Sequence, residues 1–154
     1  MENRCIDCGE CFKTCNYKAV YVKQDDFDSI FNYPCRVALV PSVFLGQFPN
    51  DVSVSRIYMI LKEIGFTHVF ETDAAASIFT LAKNKYAEEN SDKFPLISSF
   101  CPAVVRLIQV KFPGLVGNII PVKVPLDIMA MYVKRVLKNE NRYKEEEIGV
   151  FYIT

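Results

Sequence analysis

Cys5, Cys8, Cys11 and Cys15 form one short run, Cys5-Ile-Asp-Cys8-Gly-Glu-Cys11-Phe-Lys-Thr-Cys15, with the spacing C-x2-C-x2-C-x3-C. Short loops with a glycine among them bring several thiolates onto one small inorganic body at low entropic cost. Four thiols in a single tight run suit a [4Fe–4S] cluster. Zinc usually takes two separated pairs, and a disulfide framework is a third use of the same residues. The spacing favours iron–sulfur over both.

The elements that must hold this run begin with what surrounds it. Residues 1–34 read as a cluster segment and linker, of which 1–24 are the cluster segment and its exit, with Asn16 to Val22 as a turn and short strand. The polar stretch 24–34 is then a linker that packs lightly on the next part of the chain. Such a segment is too small to make its own core and should lean on the remainder. From residue 35 to 154 strands and helices alternate. Val37-Ala-Leu-Val40 is a continuous apolar run, the mark of a strand buried on both faces. Asn50 or Asp51 can cap a helix carrying Val54, Ile57, Tyr58, Leu61 and Ile64, which Gly65 stops. Val69-Phe70-Glu71 is a second strand, and Asp73 can cap a helix with Ala75, Ile78, Phe79, Ala82 and Tyr86 on one face. Pro95 to Ser99 reads as a third strand. Pro102 and Pro125 each open a helix, the second burying Leu126, Met129, Val133, Val136 and Leu137. Ile148 to Ile153 is a last strand. This alternation predicts an α/β fold, a parallel doubly wound sheet with helices on both faces, preceded by the small iron–sulfur segment.

Composition limits the functions available. The chain has 154 residues, 51% of them hydrophobic and 23% charged, with zero formal net charge. This describes a globular protein with no electrostatic steering toward nucleic acid or an anionic membrane. No apolar run approaches the ~20 residues of a membrane span. The acidic run Glu145-Glu146-Glu147 reads as a solvated loop. Cluster-type cysteines with no signal peptide point to a reducing cytoplasm. No glycine-rich phosphate loop is present, so nucleotide binding is not suggested.

Cys101 lies in Leu96-Ile-Ser-Ser-Phe-Cys101-Pro102, at the end of a predicted strand and the start of a helix. Ligands collect at that edge of open α/β sheets, and a helix N-terminus favours a thiolate. The plainer reading is a small apolar filler beneath the helix. Cys35 reads as a buried filler, with a remote cluster ligand as the alternative, since the fourth cysteine of such a run can serve another cluster. His68, the single histidine, stands at the mouth of a predicted strand and reads as a surface or turn residue, with ligation or proton transfer as the alternative. The abundant Phe and Tyr read as core and cluster shielding.

The run is ferredoxin-like. Its order with Val40-Pro-Ser-Val-Phe-Leu-Gly-Gln47-Phe48, Leu61-Lys-Glu-Ile-Gly65-Phe66 and Ser99-Phe-Cys101-Pro102-Ala-Val-Val-Arg106-Leu-Ile resembles the [FeFe]-hydrogenase large subunit. More narrowly it resembles the sensory members, which join this domain to signalling modules. Phe112-Pro-Gly-Leu-Val-Gly-Asn-Ile-Ile-Pro121-Val-Lys-Val-Pro125-Leu is similar to theirs as well, and the likeness covers nearly the whole chain.

The resemblance has consequences residue by residue. Catalytic members read Thr-Ser-Cys-Cys-Pro here: the first cysteine relays protons and the second ligates the H-cluster cubane. Cys101 matches that ligand, while Phe100 stands at the relay position, where a ring cannot pass a proton. Sensing or relaying electrons is therefore the expected task, with a ferredoxin-like donor or acceptor, or a signalling module, as partner; a fragment of a catalytic iron hydrogenase and a metal-stabilised structural module are the alternatives. Asn16 stands where ferredoxins carry proline, which should loosen the turn orienting Cys15. The family continues with Pro-Cys-x-x-Lys and two further ligand cysteines where this chain reaches Thr154. The expectation is the first part of a longer protein, with an H-cluster only in the complete form. Apolar sheet surface exposed at that boundary would invite a homodimer.

Overall fold

Val37, Ala38, Leu39 and Val40 are apolar at every position, which leaves no side of the strand for water, and all four are buried. In the computed structural model, which describes residues 5–6, 8–21, 26–140 and 143–153, they form β1 (Cys35–Val40). This strand is the centre of a parallel sheet with β2 (His68–Glu71) and β3 (Ile148–Tyr152), in the order β2-β1-β3. Val37 pairs with His68 and Val40 with Glu71 on one side. Cys35 pairs with Ile148 and Leu39 with Tyr152 on the other. The helices are α1 (Glu10–Thr14), α2 (Ser42–Leu45), α3 (Val54–Glu63), α4 (Ala76–Glu89), α5 (Pro102–Lys111) and α6 (Pro125–Asn139).

The two-residue period of a strand sends alternate side chains to opposite faces. Cys35, Val37 and Leu39 join Ile148, Ala75 and the α6 residues Met129, Val133 and Leu137. Ala38 and Val40 join Ile57 and Leu61 of α3, with Phe66 and Ile30. Burying one Val or Leu in this way contributes about 1.5–3 kcal/mol. The expected α/β sheet with helices on both faces is therefore present. The chain divides into two compact units: a sheet unit, Asp26–Thr80 with Val124–Thr154, and a second unit, Met1–Asp25 with Leu81–Lys123.

Several local expectations are corrected. Ser53, not Asn50 or Asp51, caps α3, its hydroxyl accepting the Arg56 N–H at 3.3 Å. Asp73 caps nothing. It lies in a 3₁₀ turn, Thr72–Ala75, and its carboxylate accepts the Ser42 N–H at 2.7 Å, joining the loops that leave β1 and β2. Of the expected α4 face only Phe79 is buried on the helix itself, and Ile78 is half exposed. Pro95 to Ser99 is not a strand of the sheet: Ile97 forms an isolated parallel bridge to Ile119. The two serines draw the backbone away from a ladder, Ser98 Oγ accepting from Phe100 N–H and Ser99 Oγ donating to Val122 O. Among residues 16–21 there is a turn but no strand, and Val22 lies outside the described residues. Glu145–Glu147 form a 3₁₀ turn whose Glu145 meets Lys138 at 2.9 Å in an exposed pair.

The stretch read as a light linker is attached more firmly than that. Phe27–Asn32 is a 3₁₀ turn that buries Ile30 beneath the sheet. Arg36 comes just after it, donating to Tyr33 O at 3.0 Å and also to Gly65 O. The aromatics of this stretch press on two glycines. A Cβ on Gly65, at φ 126°, would stand 2.8 Å from the Phe31 ring, and one on Gly149 would stand 2.6 Å from the Tyr33 ring.

Gly149→Ala should therefore overpack the sheet face and lower stability by about 1–3 kcal/mol in urea unfolding. Gly114→Ala, whose added Cβ meets nothing within 4 Å, is the control and should leave the midpoint nearly unchanged. Equal midpoints for the two variants would contradict the packing described.

Candidate cofactor site

The thiol run folds by local rules. Gly9 takes φ 75°, a left-handed conformation open to glycine, and turns the chain after Cys8 into α1. Phe12 and Lys13 N–H groups donate back to Gly9 O at 3.1 and 3.2 Å. Cys11 sits on α1 and Cys15 is its C-cap. The chain then curls: Lys18 N–H donates to Cys15 O at 3.1 Å, and Lys18 itself adopts φ 50°. This places the Ala19 N–H 3.3 Å from Cys15 Sγ. The turn closes through that carbonyl with Asn16 in place of the proline ferredoxins carry.

The Ala19 N–H lowers the Cys15 thiol below its ordinary pKa, with smaller help from the N–H groups of Val20, Tyr17 and Lys18 against some desolvation. Backbone donors aimed at a sulfur favour its anionic, ligating form. Cys5, Cys8 and Cys11 are exposed, and Cys15 is partly covered.

Cys101 belongs to the same unit. It is the N-cap of α5, exposed, with no side-chain capping bond, and Pro102 follows at the first helical position. The segment leading to it runs beside the one before α6. Ile97 N–H donates to Asn118 O and Ile120 N–H to Ile97 O, both at 2.8 Å. Asn118 Nδ2 reaches both Lys93 O and Pro95 O at 2.9 Å, fastening the two segments. The Phe100 ring is 59% exposed. Arg106 on α5 donates from Nε to Cys5 O at 3.2 Å, which joins the thiol run to the helix that starts at Cys101. Among the described residues, no three His, Cys, Asp or Glu side chains gather as a metal-ligand set.

Cys35 is different. It is wholly buried in the sheet core, as the filler reading expects. Burial pushes its thiol pKa up, only partly offset by Thr67 and Arg36. His68, expected at the mouth of a strand, is the first residue of β2 and is half-buried. Its Nδ1 lies 2.8 Å from Thr67 Oγ1 and 3.7 Å from Cys35 Sγ. The pairing comes from β-sheet register, which spacing in sequence does not reveal. At the other end of β2, Tyr58 donates to Glu71; burial first, and that carboxylate second, hold the Tyr58 pKa well above its ordinary value.

Arg106 and Asn118 carry structural roles that residue types and spacing did not assign. Both are side chains bonding to distant backbone carbonyls, and such contacts leave no periodic signal.

A parallel α/β sheet, in a chain that also carries a thiol-bearing segment, defines the class. Residues 35–154 match the family described as iron only hydrogenase large subunit, C-terminal domain, and the chain belongs to it. It is 26% identical over 132 residues to the NADP-reducing hydrogenase subunit HndD of Solidesulfovibrio fructosivorans, covering 72% of this chain and 22% of that protein. It is 30% identical over 102 residues to iron hydrogenase 1 of Clostridium pasteurianum, covering 60% and 18%. The chain thus spans about a fifth of the length of these relatives. A solved [FeFe]-hydrogenase structure, from work on oxygen inactivation through damage to the H cluster 2Fe subcluster, superposes with a TM-score of 0.64. It covers 85% of this chain and 35% of that one at 18% identity, a likeness of fold. No helix among the described residues is long and apolar enough to cross a membrane.

Cys15 and Cys35 should separate chemically in the metal-free protein. A lowered pKa means more thiolate at neutral pH, so the alkylation rate of Cys15 should rise with a midpoint below the ordinary thiol range of about 8.5. Cys35 should react only on unfolding. Mass spectrometry of iodoacetamide-labelled peptides across a pH series reads both; a Cys15 midpoint at or above the ordinary range would contradict the hydrogen bond.

Proposed function

We propose that this chain is an iron–sulfur redox module of an [FeFe]-hydrogenase-like protein of the sensory type, binding one [4Fe–4S] cluster through Cys5, Cys8, Cys11 and Cys15. The observation that carries the reading is Cys15, whose sulfur already accepts a backbone N–H and is drawn toward thiolate. The donor set fits: four soft thiols on short loops, with a left-handed glycine where the chain turns. Since the four side chains do not stand gathered, the run closes on its metal as it binds. Cys15 is a better fourth ligand than Cys35, which could reach a metal only by leaving the sheet core.

The cluster, when bound, supplies one-electron exchange. The chain's own residues do the rest. Hydrogen bonds to the Cys15 sulfur stabilise its negative charge, and Phe12 and Tyr17 lie exposed in or next to the run, available to shield it from water. Cys101, at an exposed helix N-cap, would ligate part of a second cofactor in a complete protein. Phe100 offers no exchangeable proton at the relay position, which supports sensing or electron relay over hydrogen turnover. A ferredoxin-like donor or acceptor, or a signalling module, is the partner this implies, in a reducing cytoplasm.

Anaerobic reconstitution tests this. Iron and acid-labile sulfide should load in equal amounts, the reduced protein should give the EPR signal of a [4Fe–4S] centre, and Cys8→Ser should abolish it. Bound zinc without sulfide would sink the iron–sulfur reading. Hydrogen uptake by the cofactor-loaded full-length protein would count against the sensory role alone.

A further inference from the structure

Arg106 links two parts of the chain that sequence keeps far apart. Its Nε donates to the carbonyl oxygen of Cys5 at 3.2 Å, across 101 positions. Its Nη1 donates to Gln109 Oε1 at 3.4 Å on the same helix, which orients the guanidinium. The bond uses the Cys5 carbonyl and not its thiol, so ligation of a metal by the sulfur does not compete with it. The first cysteine of the run is thereby held against α5, the helix that starts at Cys101. The guanidinium carries a positive charge. A fixed cation beside a redox centre favours the state carrying one more electron, and so raises its potential.

We propose that Arg106 is a positioning residue of the thiol run: it anchors Cys5 to α5, and its charge raises the reduction potential of the cluster held there. This rests on the iron–sulfur reading above. Lysine at this position keeps the charge but loses the planar fork that bonds Cys5 and Gln109 together, so charge and tether separate experimentally.

The test uses EPR-monitored redox titration of the reconstituted protein with Arg106→Gln and Arg106→Lys. The glutamine variant should bind the same iron and sulfide as wild type but titrate at a more negative midpoint, and lysine should recover much of that shift. In the metal-free protein, the tether is read by limited proteolysis: cleavage within the thiol run should become several-fold faster in Arg106→Gln. Identical midpoints and identical cleavage rates in wild type and Arg106→Gln, with cluster content intact, would overturn the proposal and leave the iron–sulfur reading standing. A wild-type protein that takes up no iron and sulfide would remove that reading and the role of the charge with it.

Discussion

The sheet unit depends on one constraint: β1 has no face it can show to water. Its side chains enter two separate clusters, one closed by α6 and the other by α3 with Ile30 and Phe66. A strand buried on both faces needs neighbours on both edges and helices on both sides, and parallel pairing with crossover helices supplies them. The same demand recruits Phe27–Asn32, so that residues of linker-like composition become part of the core. Gly65 and Gly149 answer the same demand, because the aromatics of that segment leave no room for a Cβ.

The cysteines show how environment divides one residue type into two chemistries. Cys35 and Cys15 carry the same thiol with the same intrinsic acidity. Burial among Val37, Leu39 and Val133 makes the first a neutral packing group. A tight turn with Lys18 in a left-handed conformation aims backbone N–H groups at the second and makes it a better anion. Only the second is prepared to be a ligand. Cys101 stands apart from both: exposed at a helix start, and placed there by segments that Asn118 fastens together.

Much of the fold was legible because it rests on burial. β1, the helices opened by Pro102 and Pro125, and the last strand come from apolar runs and proline positions, and they appear within a residue or two of expectation. The parts that were not legible depended on choices between similar groups. Ser53 outcompeted Asn50 and Asp51 as a cap, and Asp73 was drawn to the Ser42 N–H across the sheet edge. Pro95 to Ser99 looked like a strand by composition, but its serine hydroxyls bond locally and to Val122. For the proposed site, the spacing of the thiols suggested a donor set, and the resemblance singled out Cys101. Neither revealed Arg106 at the Cys5 carbonyl or His68 beside Cys35, since those contacts exist only once distant segments meet.

The central claim is that the amino-terminal thiols hold an iron–sulfur cluster with Cys15 among its ligands. Mössbauer spectroscopy of protein reconstituted anaerobically with iron-57 tests it most directly, on wild type and Cys15→Ser side by side. The account predicts the quadrupole doublets of a [4Fe–4S]²⁺ centre in wild type, with most of that iron lost or converted to another form in the variant. Spectra that show only unassembled iron in wild type, or that are the same with and without the Cys15 thiol, would contradict it.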